Sequence, residues 1–250
     1  MNLKGNTIFI TGGGSGIGRG LAEALHQAGN QIIISGRRKG HLDAVVKANP
    51  GMKSIELNVE DPASIAAVAK KLVAENPKLN VLINNAGIMA PDKVESEVDD
   101  KMVTSIVTTN LLGPIRMTSA LIEHLKKQPH AAVVTVSSGL AFVPLAVTAT
   151  YSATKAAIHS YSMSLRHRLK GTSVKVIEIA PPWVKTELMG SHDDPRQMPL
   201  AEFIGETMKI LATDADENIV ERSQFFRKNP GPGEHALVNG FNDTMNESFQ

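Results

Sequence analysis

Apolar residues along the chain follow two rhythms. Short β-branched runs occur at "TIFI" (7–10), "QIIIS" (31–35), "KSIEL" (53–57), "LNVLI" (79–83), "AAVVTV" (131–136) and "VKVIEI" (174–179). Several lack the polar alternation of a half-exposed strand, which predicts strands covered on both faces of a parallel sheet. Between them, apolar residues recur at helical spacing over 16–29, 61–76, a long segment near 98–127, and about 150–170. Gly29 and Pro77 stop the first two. Asp61 is placed to cap the second, with Pro62 at its first helical position. Pro114 should kink or interrupt the long segment. Strand–helix alternation with right-handed crossovers predicts an α/β fold, a doubly wound parallel sheet of six or seven strands with helices on both faces. The polar stretch "GSHDDPRQMP" (190–199) reads as a mobile loop within one domain.

Composition narrows the class. With 250 residues, 42% hydrophobic, 20% charged and a formal net charge of +1, the chain can bury a substantial single core. Near-neutrality, with "RRK" (37–39) as its longest basic run, gives no support for nucleic-acid or membrane-surface binding. There are no cysteines, so disulfides, thiolate catalysis and cysteine-ligated metals are excluded. No apolar run approaches the ~18 residues of a membrane span, and the N-terminus has too little apolar length for a signal peptide. A cytoplasmic location is expected. Among the eight histidines only His159 and His167 share a helix at a paired spacing, and both read as surface residues; no metal site is expected.

The first strand runs into "TGGGSGIG" (11–18), which then opens a helix. Glycines let the backbone approach a pyrophosphate, and the helix N-terminus offers free N–H groups to it. The order of Gly12, Gly16 and Gly18 is G-x-x-x-G-x-G, unlike the commoner G-x-G-x-x-G. The second strand ends in "ISGRR", where an NAD-binding unit usually carries a carboxylate for the ribose hydroxyls. Arg37 and Arg38 would instead grip a ribose phosphate, favouring NADP(H) over NAD(H). A merely solvated basic loop is the alternative. "YSATK" (151–155) puts one of only two tyrosines one helical turn before a lysine. An ammonium beside a phenol should lower its pKa and suit it to proton transfer near neutral pH. An ordinary exposed pair is the alternative for this motif on its own.

Together with "NNAG" (84–87), Ser138 in "VTVSSG" and Asn110 in "TTNLLGP", these motifs resemble the short-chain dehydrogenase/reductase family over nearly the whole chain, in its compact oxidoreductase branch. The resemblance implies a single Rossmann-like domain over 1–250, with a substrate loop or lid near 183–205. It implies Tyr151 as acid/base, with Lys155 depressing its pKa and holding the nicotinamide ribose. Ser138 would hydrogen-bond the substrate oxygen and Asn110 would hold a water in a proton relay. For the nucleotide it implies Gly12, Ser15, Gly16, Ile17, Gly18, Asn58, Val59, Asn84, Ala86 and Gly87, with Pro181, Val184 and Thr186 at the nicotinamide. Asn58 replaces the usual Asp at the adenine, and Pro181–Pro182 replaces the usual Pro-Gly, stiffening that turn. "PPWVKTEL", "SSGLAFVPLA" and the helix after Lys155 resemble a subgroup linked by name to D-alanine esterification of teichoic acids.

Substrate determinants are expected at Leu140, Phe142, Val143, Leu145, Trp183, Leu188 and Met189. These suggest a ketone or secondary alcohol with apolar substituents, unless several are simply core or lid packing. No Lys or Arg is obviously aimed at an anionic substrate, Lys185 being the nearest candidate. A small carbonyl or alcohol substrate is expected, with no nucleic acid or membrane partner, and a homodimer or homotetramer. The expected activity is NADPH-dependent carbonyl reduction; the alternative is an NADP(H)-binding redox sensor without turnover.

Overall fold

The computed structural model describes residues 1–188, 194–228 and 231–246. Seven parallel strands form one sheet: β1 (Thr7–Thr11), β2 (Gln31–Gly36), β3 (Lys53–Glu56), β4 (Leu79–Asn84), β5 (Ala131–Val136), β6 (Val174–Ile179) and β7 (Glu217–Asn218). Their order is β3-β2-β1-β4-β5-β6-β7. The chain therefore winds outward one way from β1, crosses back, and winds the other way from β4. A crevice opens at the strand C-termini where that order reverses.

The helices are α1 (Gly16–Gln27), α2 (Lys39–Ala48), α3 (Pro62–Glu75), α4 (Asp100–Val107), α5 (Gly113–Leu125), α6 (Ala149–Arg168), α7 (Leu200–Leu211), α8 (Gln224–Arg227) and α9 (Glu234–Asn246). Strand alternation sorts the core into two layers. Ile8, Ile10, Ile32, Ile34 and Ile83 join Leu21, Leu25 and Phe203 on one face. Phe9, Ile33, Leu82 and Val133 join Leu72, Leu121 and Leu125 on the other. Apolar burial on both faces at about 25 cal/mol per Å2 is the main stabilising term.

Two features of the chain act as expected. Asp61 caps α3 by accepting from Ala63 N at 2.9 Å, with Pro62 in the first turn. The long segment ahead of Pro114 is interrupted: a π-helical turn, Thr108–Leu112, separates α4 from α5. Periodicity gave no signal for α2, β7 or α7 to α9. β7 has only two residues, and α2 buries just Leu42 and Val45. Of the expected loop over 190–199, residues 190–193 lie outside the described residues, whereas Met198 is paired with Val184 in an isolated parallel bridge. Among the described residues, no helix is long and apolar enough to cross a membrane.

Candidate active site

A cavity of about 1050 Å3 occupies the crevice and runs from the glycine turn after β1 to α6 and α9. At one end the backbone makes room. Gly12 has φ +68, and a Cβ there would meet Ala86 Cα at 2.8 Å. A Cβ on Gly18 would stand 2.3 Å from the Gly12 carbonyl oxygen and from Asn85 Nδ2. Thr11 staples this turn to the loop after β4, its hydroxyl accepting from Asn85 N at 3.0 Å and Ala86 N at 3.1 Å. Asn85 Nδ2 returns hydrogen bonds to the Thr11 and Gly12 carbonyls. The result is a glycine cradle at a helix N-terminus that any side chain would fill, as a phosphate-binding turn requires.

Ser15, Gly16, Ile17, Val59, Ala86 and Gly87 line the cavity with Gly12 and Gly18, and Arg37 and Arg38 stand at its rim. Arg38 donates to Ser15 Oγ at 3.4 Å, across the glycine turn. Arg37 pairs with Glu60 at 3.2 Å, and Glu60 also accepts from Thr109 and Ser105. Asn58 and Asn84 stand outside the lining. Asn58 Oδ1 is used locally by Glu60 N. Asn84 is buried and donates to Thr118 Oγ1 at 3.0 Å, so within "NNAG" the second asparagine, Asn85, is the one at the cavity. Asn58 is held back by its local bond, whereas Asn84, also expected to steady the central sheet, ties β4 to α5 and leaves its Oδ1 buried without a partner.

The other end holds the proton-transfer candidates. Ser138 follows β5, Tyr151 and Lys155 lie on the first turns of α6, and all three line the cavity. The Ser138 hydroxyl acts on the Tyr151 phenol, favouring its ionised form. Ser138 Oγ also accepts from Leu140 N at 3.1 Å, which fixes its rotamer at the start of a 3-10 turn. Lys155 Nζ lies 5.4 Å from the Tyr151 ring centroid and donates to the Val136 carbonyl at 2.9 Å. Asn110 sits in the π turn behind them, engaging Ile88 N and O and Thr154 Oγ1. Its Oδ1 and Lys155 Nζ flank Gly87, at 3.4 and 3.7 Å from where a Cβ would stand. A π turn projects one residue off the helical register, which is how Asn110 reaches this cluster. The register of α6 is set remotely: Thr148 provides no side-chain cap, and buried Asp92 instead accepts from Ala149 N at 2.9 Å and Thr150 N at 2.6 Å.

The electrostatics correct one expectation. Burial pushes the Tyr151 phenol up to about 12, opposed only by the Ser138 hydrogen bond. Burial also brings the Lys155 ammonium down to about 8, while Glu178 pulls it back up. The anticipated depression of the phenol by its neighbour is absent here: desolvation is the largest influence on each group, and it disfavours the charged form of both.

Apolar walls complete the cavity. Pro181, Val184 and Thr186 line it beside Pro182, and Leu140, Leu145, Trp183 and Leu188 stand nearby. Met189 lies outside the described residues. Phe142 and Val143 are absent from the lining; Val143 is fully buried, and Phe142 packs edge-on to His159 at 5.0 Å. Sequence reasoning missed the far wall, which comes from α8 and α9: Phe225, Phe226, Leu237, Phe241 and Met245. Phe226 stacks edge-on to Phe241 at 5.4 Å and lies against Gly139, where a Cβ would meet it at 2.7 Å. Asn242 ties α9 to the loop before α6, donating to the Pro144 carbonyl at 3.0 Å and accepting from Ala146 N. Arg196 and Arg222 also line the cavity, so cationic groups do reach it, although the exposed Lys185 does not. His159 is half-buried and bonded to Glu178 rather than a surface residue; His167 is exposed.

The residues present fit a dinucleotide laid from the arginines across the glycine cradle to Tyr151 and Lys155, and comparison with known proteins agrees. The short chain dehydrogenase family model matches residues 6–197. The chain is 43% identical over 189 residues to an uncharacterized oxidoreductase, DltE, of Bacillus subtilis (strain 168), covering 75% of each. It is 32% identical over 228 residues to the 3-oxoacyl-[acyl-carrier-protein] reductase FabG of Escherichia coli (strain K12), covering 86% of this chain and 92% of that one. A short chain dehydrogenase from Burkholderia cenocepacia J2315, solved in complex with NADP, superposes with a TM-score of 0.84 at 26% identity, over 95% of this chain and 99% of that one. A nicotinamide cofactor accounts for the cradle and the tyrosine end alike, and the chain belongs to the short-chain dehydrogenase family, as an oxidoreductase of the DltE subgroup.

Proposed function

We propose that the protein reduces a ketone or aldehyde to an alcohol, reversibly, using NADPH. The observation that carries this reading is the convergence of Ser138, Tyr151 and Lys155 on one wall of the cavity that also contains the glycine cradle. When bound, the reduced nicotinamide supplies a hydride to the carbonyl carbon. Tyr151, a neutral phenol at pH 7 whose pKa burial raises further, donates its proton to the carbonyl oxygen. Ser138 hydrogen-bonds that oxygen and stabilises the charge that develops on it. Lys155 favours the departing phenolate while it carries its proton, and Asn110, across Gly87 from it, stands on the route of proton replacement.

NADP(H) is favoured by the two arginines at the rim where a carboxylate would otherwise stand. The wall formed by Leu140, Trp183, Phe226 and Phe241 favours a carbonyl compound with apolar substituents. Of the lid expected over 183–205, Met198 and Phe203 are buried in the core, so the stretch 183–188 at the cavity is the part proposed to cover the substrate. The same reading takes the protein as cytoplasmic and homo-oligomeric, a dimer before a tetramer. Turnover rather than nucleotide sensing alone is supported by the full Asn110, Ser138, Tyr151 and Lys155 set, which a sensor does not need.

The test is NADPH oxidation with a panel of alkyl and aryl ketones, wild type against Tyr151→Phe. The variant should lose about 10^3-fold or more in turnover, within the range of general acid–base catalysis, while NADPH binding by fluorescence persists. Undiminished turnover would remove Tyr151 from its role.

A further inference from the structure

Behind the reacting wall lies a fully buried carboxylate that the proposed reaction does not use. Glu178, on β6, has no solvent exposure. Its Oε1 accepts from Ser137 Oγ at 2.5 Å, and its Oε2 accepts from His159 Nδ1 at 2.7 Å. Ser137 lies between two residues that serve the proton-transfer pair: the Val136 carbonyl accepts from Lys155, and Ser138 lines the cavity with Tyr151. His159 lies one turn beyond Lys155 on α6. The carboxylate therefore ties the end of β5 to the helix that carries Tyr151 and Lys155.

Burying a carboxylate is costly unless its charge is used or matched. The setting makes the cost greater, because Glu217 stands opposite Glu178 on β7, and like charges at facing strand positions repel. Arg227, from α8, clasps Glu217 at 2.7 and 3.1 Å and also stacks over Phe142. Ligand-type atoms of His159, Glu178 and Glu217 lie within 4.8 Å of one another, yet these hydrogen bonds and the Arg227 pair already satisfy them. The charged and titratable groups around Glu178 are thus His159, at hydrogen-bond distance, with Lys155 one turn before it on α6, Glu217 on β7, and Arg227 on α8 paired with Glu217; Arg166 of α6 lies further along, against Asp216.

We propose that Glu178 is a positioning residue for this site: it locks the Val136–Ser138 strand end against α6 through Ser137 and His159, and its negative charge serves as the internal counter-charge of the Lys155 ammonium. The inference rests on the catalytic reading of Tyr151 and Lys155. The pull of Glu178 on Lys155 against desolvation agrees in direction. The sign follows. Lys155 is wanted protonated, so turnover in the reductive direction is full below its pKa and falls as pH rises through it. Removing the negative charge moves that fall to lower pH.

The test compares wild type, Glu178→Gln and Ser137→Ala. Glu178→Gln keeps the shape and the acceptor for Ser137 but removes the charge; Ser137→Ala keeps the charge and removes the strap. Lysine side-chain NMR of the cofactor-free protein, with Lys155→Arg used to assign the resonance, reads the ammonium directly. In Glu178→Gln the Lys155 titration and the alkaline limb of kcat should both fall by about half to one pH unit, with KM for the ketone within about twofold. Ser137→Ala should lower kcat about tenfold with its pH profile unmoved. An unshifted Lys155 titration in a folded Glu178→Gln protein overturns the counter-charge role, and unchanged kcat in Ser137→Ala overturns the strap. If no ketone is turned over, the reaction reading fails, but the NMR titration still decides the electrostatic part. If Glu178→Gln does not fold, Lys155 is read in His159→Gln, which leaves Glu178 charged: a titration that falls there overturns the assignment of the counter-charge to Glu178, and one that stays supports it.

Discussion

The two ends of the cavity are built by opposite means. The nucleotide end is shaped by backbone: Gly12 and Gly18 leave space, and the Thr11 and Asn85 side chains fix the turn by hydrogen bonds to main-chain atoms. The substrate end is made of side chains from distant segments, with Phe226, backed by Phe241, reaching Gly139 from beyond the 6–197 stretch that the family model matches. A backbone site tolerates almost no substitution but binds a common ligand; a side-chain site can be rebuilt residue by residue. The chain can therefore keep one cofactor chemistry while its substrate wall changes.

Substitution at each end should break this contrast to a different degree. Gly18→Val should have the largest effect, because its Cβ falls 2.3 Å from a main-chain oxygen that cannot yield. Cofactor affinity measured by calorimetry is expected to drop at least ~100-fold, with a loss of stability of about 2 kcal/mol or more; near-normal binding would mean that the turn is looser than described. Next comes Arg37→Asp at the rim. Reversing the charge should weaken NADP(H) about 10- to 100-fold and NAD(H) little, although releasing Glu60 from its pair adds a small uniform cost. Equal losses for both nucleotides would reassign the phosphate grip to Arg38. Phe226→Ala should be mildest for the cofactor, leaving NADPH affinity unchanged. It should shift kcat/KM between bulky and small apolar ketones by about tenfold. A uniform change across the panel would make Phe226 a packing residue only.

Most of the fold was legible because its signals are local. Six strands read as β-branched runs, and Asp61 and Pro114 marked a helix start and an interruption where they occur. β7 escaped because two residues carry no period, and α9 because its Leu237, Phe241 and Met245 face a cavity rather than a continuous core. At the site, the glycines, Ser138, Tyr151 and Lys155 were visible as motifs, since spacing along one strand or helix turn fixes where they point. That Asn85 joins Ala86 and Gly87 at the cavity was not visible, because it depends on which amide Thr118 claims. Nor was the inverted order of effects on Tyr151: a motif records which charges are adjacent, but not how little water reaches them. Glu178 was read only as part of a strand, because its partners lie 19 and 41 positions away.

The borrowed cap on α6 has a consequence for how such an enzyme can diversify. Asp92 holds the helix start from a loop some 57 residues upstream, and its own amide binds the Val147 carbonyl. The stretch from Leu140 to Val147 is therefore relieved of starting the helix. Its cavity-lining residues, Leu140 and Leu145, can be exchanged to suit a new substrate while the phenol and ammonium stay in register, so innovation in specificity need not be paid for in proton chemistry.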